Sequence, residues 1–371
     1  MRTPESFPAR HQVAVERLAS FEVTSYAATR NFIDGNVSYL SPYISRGVLS
    51  LPQVRNAILQ RNSPAQAAKF IQELAWREYF QRVWQHVGVG VADDVRQEQF
   101  PVAHRQMIAA VLQHQTGVQA VDDAISNLYA HGYMHNHLRM YVASLCTNVA
   151  RAHWLTPAQW MYYHLLDGDA ASNHLSWQWV AGTFSSKKYW CSQENINYHT
   201  HTAQRHTFLD MPSEQLQHAP IPEILQTTAV IDLSVNLPEA RPLSIKKDQP
   251  VHLYNAYQLD TTWRHAEAAN RILLLEPSHY LSYPVSAPVI AFVVSLATDI
   301  NGMQIFVGEM EDLQRELIQL GLERPQYFSK EHPAFAHWPG QRDQRDWLFP
   351  EVTDYFSSFS AFWKKAQRYA F

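Results

Sequence analysis
The chain has 371 residues, 46% hydrophobic and 17% charged, long enough for two units with a sizeable core, and its composition excludes a disordered or fibrous polymer. No apolar run reaches membrane-spanning length, and residues 1–20 lack the apolar core of a secretory signal, so a cytoplasmic protein with no membrane partner is expected. A net charge of −4 argues against a generic nucleic-acid polycation, and two cysteines, Cys146 and Cys191, supply neither a disulfide framework nor a four-thiolate cluster.

Residues 1–212 read as helical from their 3.6-residue apolar spacing. Val13 to Phe21 forms a short amphipathic helix. In Asn31 to Pro42, Asp34-Gly35 breaks the chain and Ser41-Pro42 begins the next helix. Pro64 to His86 is a strong helix, and residues 90–106 are loop-like, with Asp93, Asp94 and Pro101. Val118 to Ala130 and Tyr133 to Ala152 are two further helices, the second with an apolar face of Met134, Leu138, Tyr141, Val142 and Leu145. Thr156 is expected to cap the next helix, with Pro157 at its first position.

Residues 213–250 are proline-rich without a helical period and read as a linker or a wrapping segment. Beyond them, strand-like VHLYNAY, RILLLEP and MQIFVGE alternate with helix-like VSAPVIAFVVSLATDI and EDLQRELIQLG. That is a βαβ pattern and implies a small parallel sheet. The aromatic tail YFSSFSAFWKKAQRYAF reads as a docked helix. The expected fold is mostly α: a helical unit over 1–212, a linker over 213–250 and a small α/β unit over 251–371.

The charge is uneven. Residues 1–212 carry 17 basic and 15 acidic side chains, the remainder 13 and 19, so the first part can present a mildly basic face to a phosphate backbone. The histidines His199, His201 and His206 lie in a polar stretch and read as solvated, so no metal is expected.

Several constellations carry polar chemistry within apolar surroundings. On the Pro64–His86 helix, Glu73 and Arg77 are i,i+4 neighbours beside Trp76. Alone this is a surface salt bridge next to a core tryptophan; a functional reading needs a second helix facing it. The segment YMHNHLRM supplies one, with Asn136 and Met140 on one face and Arg139 beside them. Asp167 and Asp169, two residues apart, repel each other and need a cation or a polyhydroxyl ligand. Arg139 is a candidate partner for Asp167, because such groups are costly to bury unpaired. Trp154 and Trp177 bracket this segment, as packing or as an electron route.

Tyr26 with Arg30, then VSYLSPYISRG, ELAWREYF, GYMHNHLRM and DGDAASNHLSWQW, in this order and spacing, resemble the helical flavin-binding domain of the photolyase/cryptochrome family. The resemblance runs from about Tyr26 to Trp179. It implies FAD bound in a folded form, with Tyr26, Ser38, Leu40 and Ser41 as its phosphate and ribose cradle and Arg77 lining the cavity. It implies that Arg139 and Asp167 form an ion pair beside the flavin ring, that Asp169 lies by the sugar chain, and that Asn173 faces flavin N5, as in repair enzymes. Glu73, Trp76, Asn136, Met140 and Trp179 match the residues that receive a flipped-out cyclobutane pyrimidine dimer, with stacking walls and base-edge donors and acceptors. Trp177 and Trp154 match the inner members of the family's tryptophan triad.

The function this implies is a deoxyribodipyrimidine photolyase: light-excited reduced FAD gives an electron to the dimer, which splits and returns it. The expected partner is DNA containing pyrimidine dimers, and the expected state is a monomer. The alternative is a cryptochrome-like blue-light sensor without repair activity. Four departures from the family's pattern matter. Val37 replaces the usual threonine of the cradle. His137 stands where an arginine often contacts DNA. The third triad position falls at Pro101. The α/β segment follows the flavin domain instead of preceding it, and no motif supports an antenna chromophore.

Overall fold
The computed structural model describes residues 7–371. Helix α1 (His11–Ser20) precedes two short helices, α2 (Tyr26–Thr29) and α3 (Ser41–Ser45), which flank the Asp34-Gly35 turn. Helices α4 (Leu51–Leu59) and α5 (Pro64–Val87) each start on a serine, Ser50 and Ser63. That serine accepts from the N–H of a glutamine three residues on, and the glutamine side chain accepts back from the serine N–H. A proline in each first turn adds a pre-set φ. The strong sequence signal for α5 therefore has a local cause at its start as well as an apolar face along its length.

Strand β1 (Met107–Ile108) leads through α6 (Ala109–Leu112) to α7 (Gln119–His131). Gly132 stops α7 with φ +63°, and a Cβ there would lie 2.6 Å from the Leu166 side chain. This stop shortens the helix expected over Tyr133 to Ala152. It begins only at Asn136, as α8 (Asn136–Ser144), with His135 Nδ1 accepting from the His137 N–H, and Leu145–Val149 then widens into a π turn. The Thr147 hydroxyl donates to the Ala143 carbonyl within that turn, a local competitor for the helical ladder. Helix α9 (Leu155–His164) corrects a second expectation, because Thr156 is inside it and is not its cap. Its hydroxyl is drawn away to the Arg105 carbonyl, 2.8 Å distant. Helices α10 (Ala170–Ala181), α11 (Gln193–Thr200) and α12 (Ser213–Leu216) follow.

The proline-rich stretch is tied down at its start, where β2 (Thr228–Ala229) pairs antiparallel with β1. The sheet beyond comprises β3 (Val251–Tyr254), β4 (Asn270–Leu275), β5 (Met303–Val307), β6 (Tyr327–Lys330) and β7 (Gln341–Asp343). All five are parallel, in the order β5-β4-β3-β6-β7, with Leu253 opposite Ile272 and Leu273 opposite Ile305. Helices α13 (Pro277–Ser282) and α14 (Ala287–Ala297) link β4 to β5, α15 (Met310–Gln319) links β5 to β6, and α16 (Phe359–Ala366) follows β7. The fold is mostly α with a small α/β unit. Among the described residues no helix is long and apolar enough to cross a membrane.

The core explains the continuous apolar run of β4. Leu273 and Leu275 face Ile71, Val289, Phe349 and Phe362 in one cluster, while Ile272 and Leu274 face Leu313 and Leu317 of α15 in another. A strand covered on both faces has no polar side, which is why RILLLEP does not alternate. The first of these cores crosses from the α/β unit into α5. A separate core joins α8 to Trp154, Trp160 and Trp177. At Gly47, φ is +69° and a Cβ would lie 2.4 Å from the Tyr257 carbonyl oxygen, so the backbones of the two units touch there. The Leu259 N–H donates to the Arg46 carbonyl beside it, at 2.8 Å.

Candidate functional site
Helices α5, α8 and α10, with the Tyr26–Ser45 segment, enclose a cavity of about 580 Å³. That is the size of an organic cofactor or substrate site. All the residues that the resemblance assigns to FAD, to the dimer or to the electron route line it, except Leu40 and Trp154. Leu40 is wholly buried one layer behind the wall.

At the deep end, Arg139 Nη2 donates to both oxygens of Asp167, at 3.1 and 2.8 Å, and Arg139 Nε donates to the Met134 carbonyl at 2.8 Å. Both members are shielded, so the ion pair meets its desolvation cost with several hydrogen bonds. Asp169 is the N-cap of α10. Its Oδ1 accepts from the Ser172 N–H at 2.8 Å, and its Oδ2 accepts from Gln81 at 2.5 Å and from Arg77 at 3.3 Å. Burial pushes the Asp169 carboxyl up, but Arg77 and the Ser172 N–H outweigh it and hold it below its ordinary value. The i,i+4 pair read from the sequence does not form. Arg77 turns to Asp169, while Glu73 takes Lys69 at 2.8 Å and Arg30 at 3.4 Å. The competing cations come from one turn back and from α2's end, which the spacing of Glu73 and Arg77 does not reveal.

Asn173, in the middle of α10, donates to the Ala158 carbonyl at 2.9 Å, and among the described residues its Oδ1 takes no protein donor. Trp177 lies beside it on the cavity wall. Trp154 is completely buried outside the cavity; its Nε1–H donates to Asp94 at 2.6 Å, and His174 meets it edge-on at 5.7 Å.

Glu73, Trp76, Met140 and Trp179 line the cavity as half-buried side chains, and Asn136 lines it as an exposed one. Trp76 is backed by Phe359 of α16, stacked on it. His137 also lines the wall, but it is buried, with His199 at 4.3 Å, and burial with that neighbour pushes its imidazole down to about 4. It is a neutral side chain at pH 7, not a substitute cation. Among the described residues no three His, Cys, Asp or Glu side chains gather as a metal site; His201 pairs with Asp34 instead.

Sequence reasoning missed five contributors. Gln81 is one turn beyond Arg77 on α5, and Ser45 is one turn beyond Ser41, so helical spacing could have found both. Ser172 lies inside the DGDAAS run. Lys69 precedes Glu73 by one turn. Phe359 had no local signal.

Residues 70–227 match the family described as the FAD binding domain of DNA photolyase. A deoxyribodipyrimidine photo-lyase of Synechococcus sp. is 34% identical over 184 residues, 46% of this chain and 38% of that protein. One of Thermus thermophilus is 33% identical over 162 residues, 42% of this chain and 38% of that protein. The chain thus spans well under half the length of these relatives. A crystal structure of a class III photolyase from Agrobacterium tumefaciens is 27% identical and covers 47% of this chain and 38% of its own, with a TM-score of 0.42.

The cavity fits FAD on its own chemistry. The Ser45 and Ser172 hydroxyls on its wall are buried without a protein partner, and Arg77 and Arg139 place two guanidinium groups there. These suit a ligand with phosphates, hydroxyls and ring heteroatoms. Residues 70–227 accordingly resemble the FAD binding domain of DNA photolyase and help to line a cavity that fits FAD.

Proposed function
We propose that the chain is a light-driven DNA-repair lyase that splits cyclobutane pyrimidine dimers in DNA. The observation that supports this is that one cavity is lined both by the Arg139–Asp167 pair and by Trp76, Trp179, Glu73, Asn136 and Met140. When bound, reduced FAD supplies the light-driven one-electron chemistry.

The chain's own residues bind and orient. Tyr26, Ser38, Ser41 and Arg77 hold the phosphate and ribose end, with Leu40 contributing from behind the wall, and Asp169 fixes Arg77. The Arg139–Asp167 pair and Asn173 hold the ring system. Trp76 and Trp179 offer faces to a flipped-out pyrimidine dimer, and such stacking is worth about 1–3 kcal/mol per base. Asn136 and Glu73 meet base edges, Met140 fills the apolar remainder, and neutral His137 adds shape without charge. Trp154, outside the cavity, and then Trp177, on its wall, would pass an electron from an external reductant such as a thiol to the bound flavin. The protein acts as a monomer in the cytoplasm.

The test is direct. Purified protein with reduced flavin is mixed with ultraviolet-irradiated oligothymidylate and exposed to blue light. Recovery of thymine absorbance in light and not in darkness supports repair; no light-dependent recovery rejects it. A second reading, a blue-light sensor, is favoured by one observation: a helix that follows the sheet, α16, is stacked on the cavity wall at Trp76. It predicts a light-dependent change in protease sensitivity of α16 without dimer loss.

A further inference from the structure
A second cleft, of about 90 Å³, lies behind Arg77 and Asp169, where α3 and α5 meet the α/β unit. Its far wall is built from residues just past the carboxyl ends of three neighbouring parallel strands: Tyr257 after β3, His332 after β6 and Arg345 after β7. From β3 the chain runs outward to β4 and β5 on one side, then returns to place β6 and β7 on the other. The cleft therefore sits at the point where the strand order reverses, where open α/β sheets leave a crevice for ligands.

Its polar groups are unevenly satisfied. Every carboxylate on the wall is already taken. Asp169 holds Arg77 and Gln81; Asp260 and Asp346 share Lys330, at 3.0 and 2.5 Å; Glu78 accepts from Arg82 and from the N–H groups of Leu348 and Phe349. The donors are not. Arg345 reaches only the neutral Gln81 amide, at 2.7 Å, and its Nη1 is buried without a partner. His332 is 3% exposed, and its Nδ1 accepts from the Ala334 N–H, so the ring proton sits on Nε2, which finds no acceptor. The Ser45 hydroxyl, 2% exposed, also has no partner. Immediately behind the wall, buried Arg46 donates to the Leu166 carbonyl and leaves its Nη2 unbonded. Among the described residues neither Arg345 nor Arg46 forms a salt bridge with a carboxylate, although Asp169, Glu331 and Glu78 are near enough to Arg345 to favour its charge. Buried donors without acceptors are costly, and the lack here is of acceptor oxygens.

We propose that this cleft is a binding site for a small phosphate-type oxyanion, held by His332 Nε2–H, Arg345 Nη1 and the Ser45 hydroxyl. The site asks nothing of light or of DNA, and only its FAD arm rests on the cofactor of the repair reading. Burial that pushes the Arg345 guanidinium down to about 10 leaves it charged at neutral pH, ready for the anion. Two sources share this chemistry: a free or nucleotide phosphate entering the cleft, and the pyrophosphate of FAD itself, reaching through the wall the two cavities share at Ser45 and Arg77.

The experiment titrates inorganic phosphate into the FAD-loaded full chain, at ionic strength held constant with chloride, and follows phosphorus-31 line broadening. Saturable binding that weakens about tenfold or more in both Arg345→Gln and His332→Asn supports a free phosphate ligand. Flavin absorbance in each variant shows that it has folded. If phosphate does not bind the loaded protein but Arg345→Gln releases FAD about tenfold faster, the oxyanion is the cofactor's own. Absence of phosphate binding with unchanged FAD release in both variants overturns the proposal, as does phosphate binding unaffected by either substitution.

Discussion

Phe359 lies flat on Trp76, with ring centroids 3.7 Å apart and planes 10° from parallel. Trp363, one turn on, continues the stack with its ring also 10° from the Phe359 plane, at 6.2 Å. The wall of the large cavity is thus backed by a helix 283 residues away in sequence. The indole of Trp76 is held by rings behind it and presents its remaining surface to the cavity.

Removing that backing should be felt in stability first. Phe359→Ala is expected to lower the unfolding free energy by about 3 kcal/mol, the usual cost of emptying a buried phenylalanine site. Phe359→Leu should cost less, because it keeps most of the volume. Urea unfolding followed by circular dichroism measures both. An alanine variant as stable as the parent would mean that the stack contributes nothing.

The Arg139–Asp167 pair makes a different demand. Replacing Asp167 with Asn or Arg139 with Ala leaves a shielded charge without its partner, at a cost of about 3 kcal/mol or more. The double variant should recover part of that loss, which a double-mutant cycle reads directly. Each single variant should also retain less flavin after gel filtration, measured by absorbance at the flavin maximum.

The buried histidines set a pH response. In the folded chain His137 titrates at about 4, against 6.5 when exposed, because burial disfavours its charged form. Between those values the unfolded chain takes up a proton that the folded chain does not, so stability falls as pH falls from 6.5 towards 4. Below the folded value the loss is complete, at most about 3 kcal/mol for this one group. His135, His164 and His174 shift the same way. His137→Gln should therefore flatten, and not abolish, the slope of urea midpoint against pH over this window. An unchanged slope would show His137 to be charged in the folded protein.

Asp94 accepts the only hydrogen bond from the Trp154 indole, at 2.6 Å. Asp94→Ala leaves a buried N–H without an acceptor and should cost about 1–3 kcal/mol. If Trp154 carries electrons to the flavin, Trp154→Phe and Trp177→Phe should each slow photoreduction severalfold under blue light with a thiol donor. Rates equal to the parent's in both variants would remove these tryptophans from the route.

What the sequence disclosed depended on range. The α5 helix was legible because its cap, its proline and its apolar face all lie within its own residues. The Arg139–Asp167 pair was legible because an unpaired buried carboxylate is costly and Arg139 is an awkward residue on an otherwise apolar helix. The partners of Glu73 were not, since Lys69, Arg30 and Arg77 are all within plausible reach and only packing chooses among them. The burial of His137 depends on His199 arriving from α11. Thr156 carried a sound capping signal that a tertiary acceptor, the Arg105 carbonyl, overrode. The Phe359–Trp76 stack and the cleft at the strand ends exist only once the sheet is laid against α5.

That docking has a consequence for how the molecule would come apart. Residues 230–242 run exposed or half-buried without regular structure, the natural place for a protease to cut. The two pieces on either side would still share the interior formed by Ile71, Leu273, Leu275, Phe349 and Phe362. A nick there would break the chain and leave the particle whole, because apolar interior holds the halves together and the peptide merely connects them.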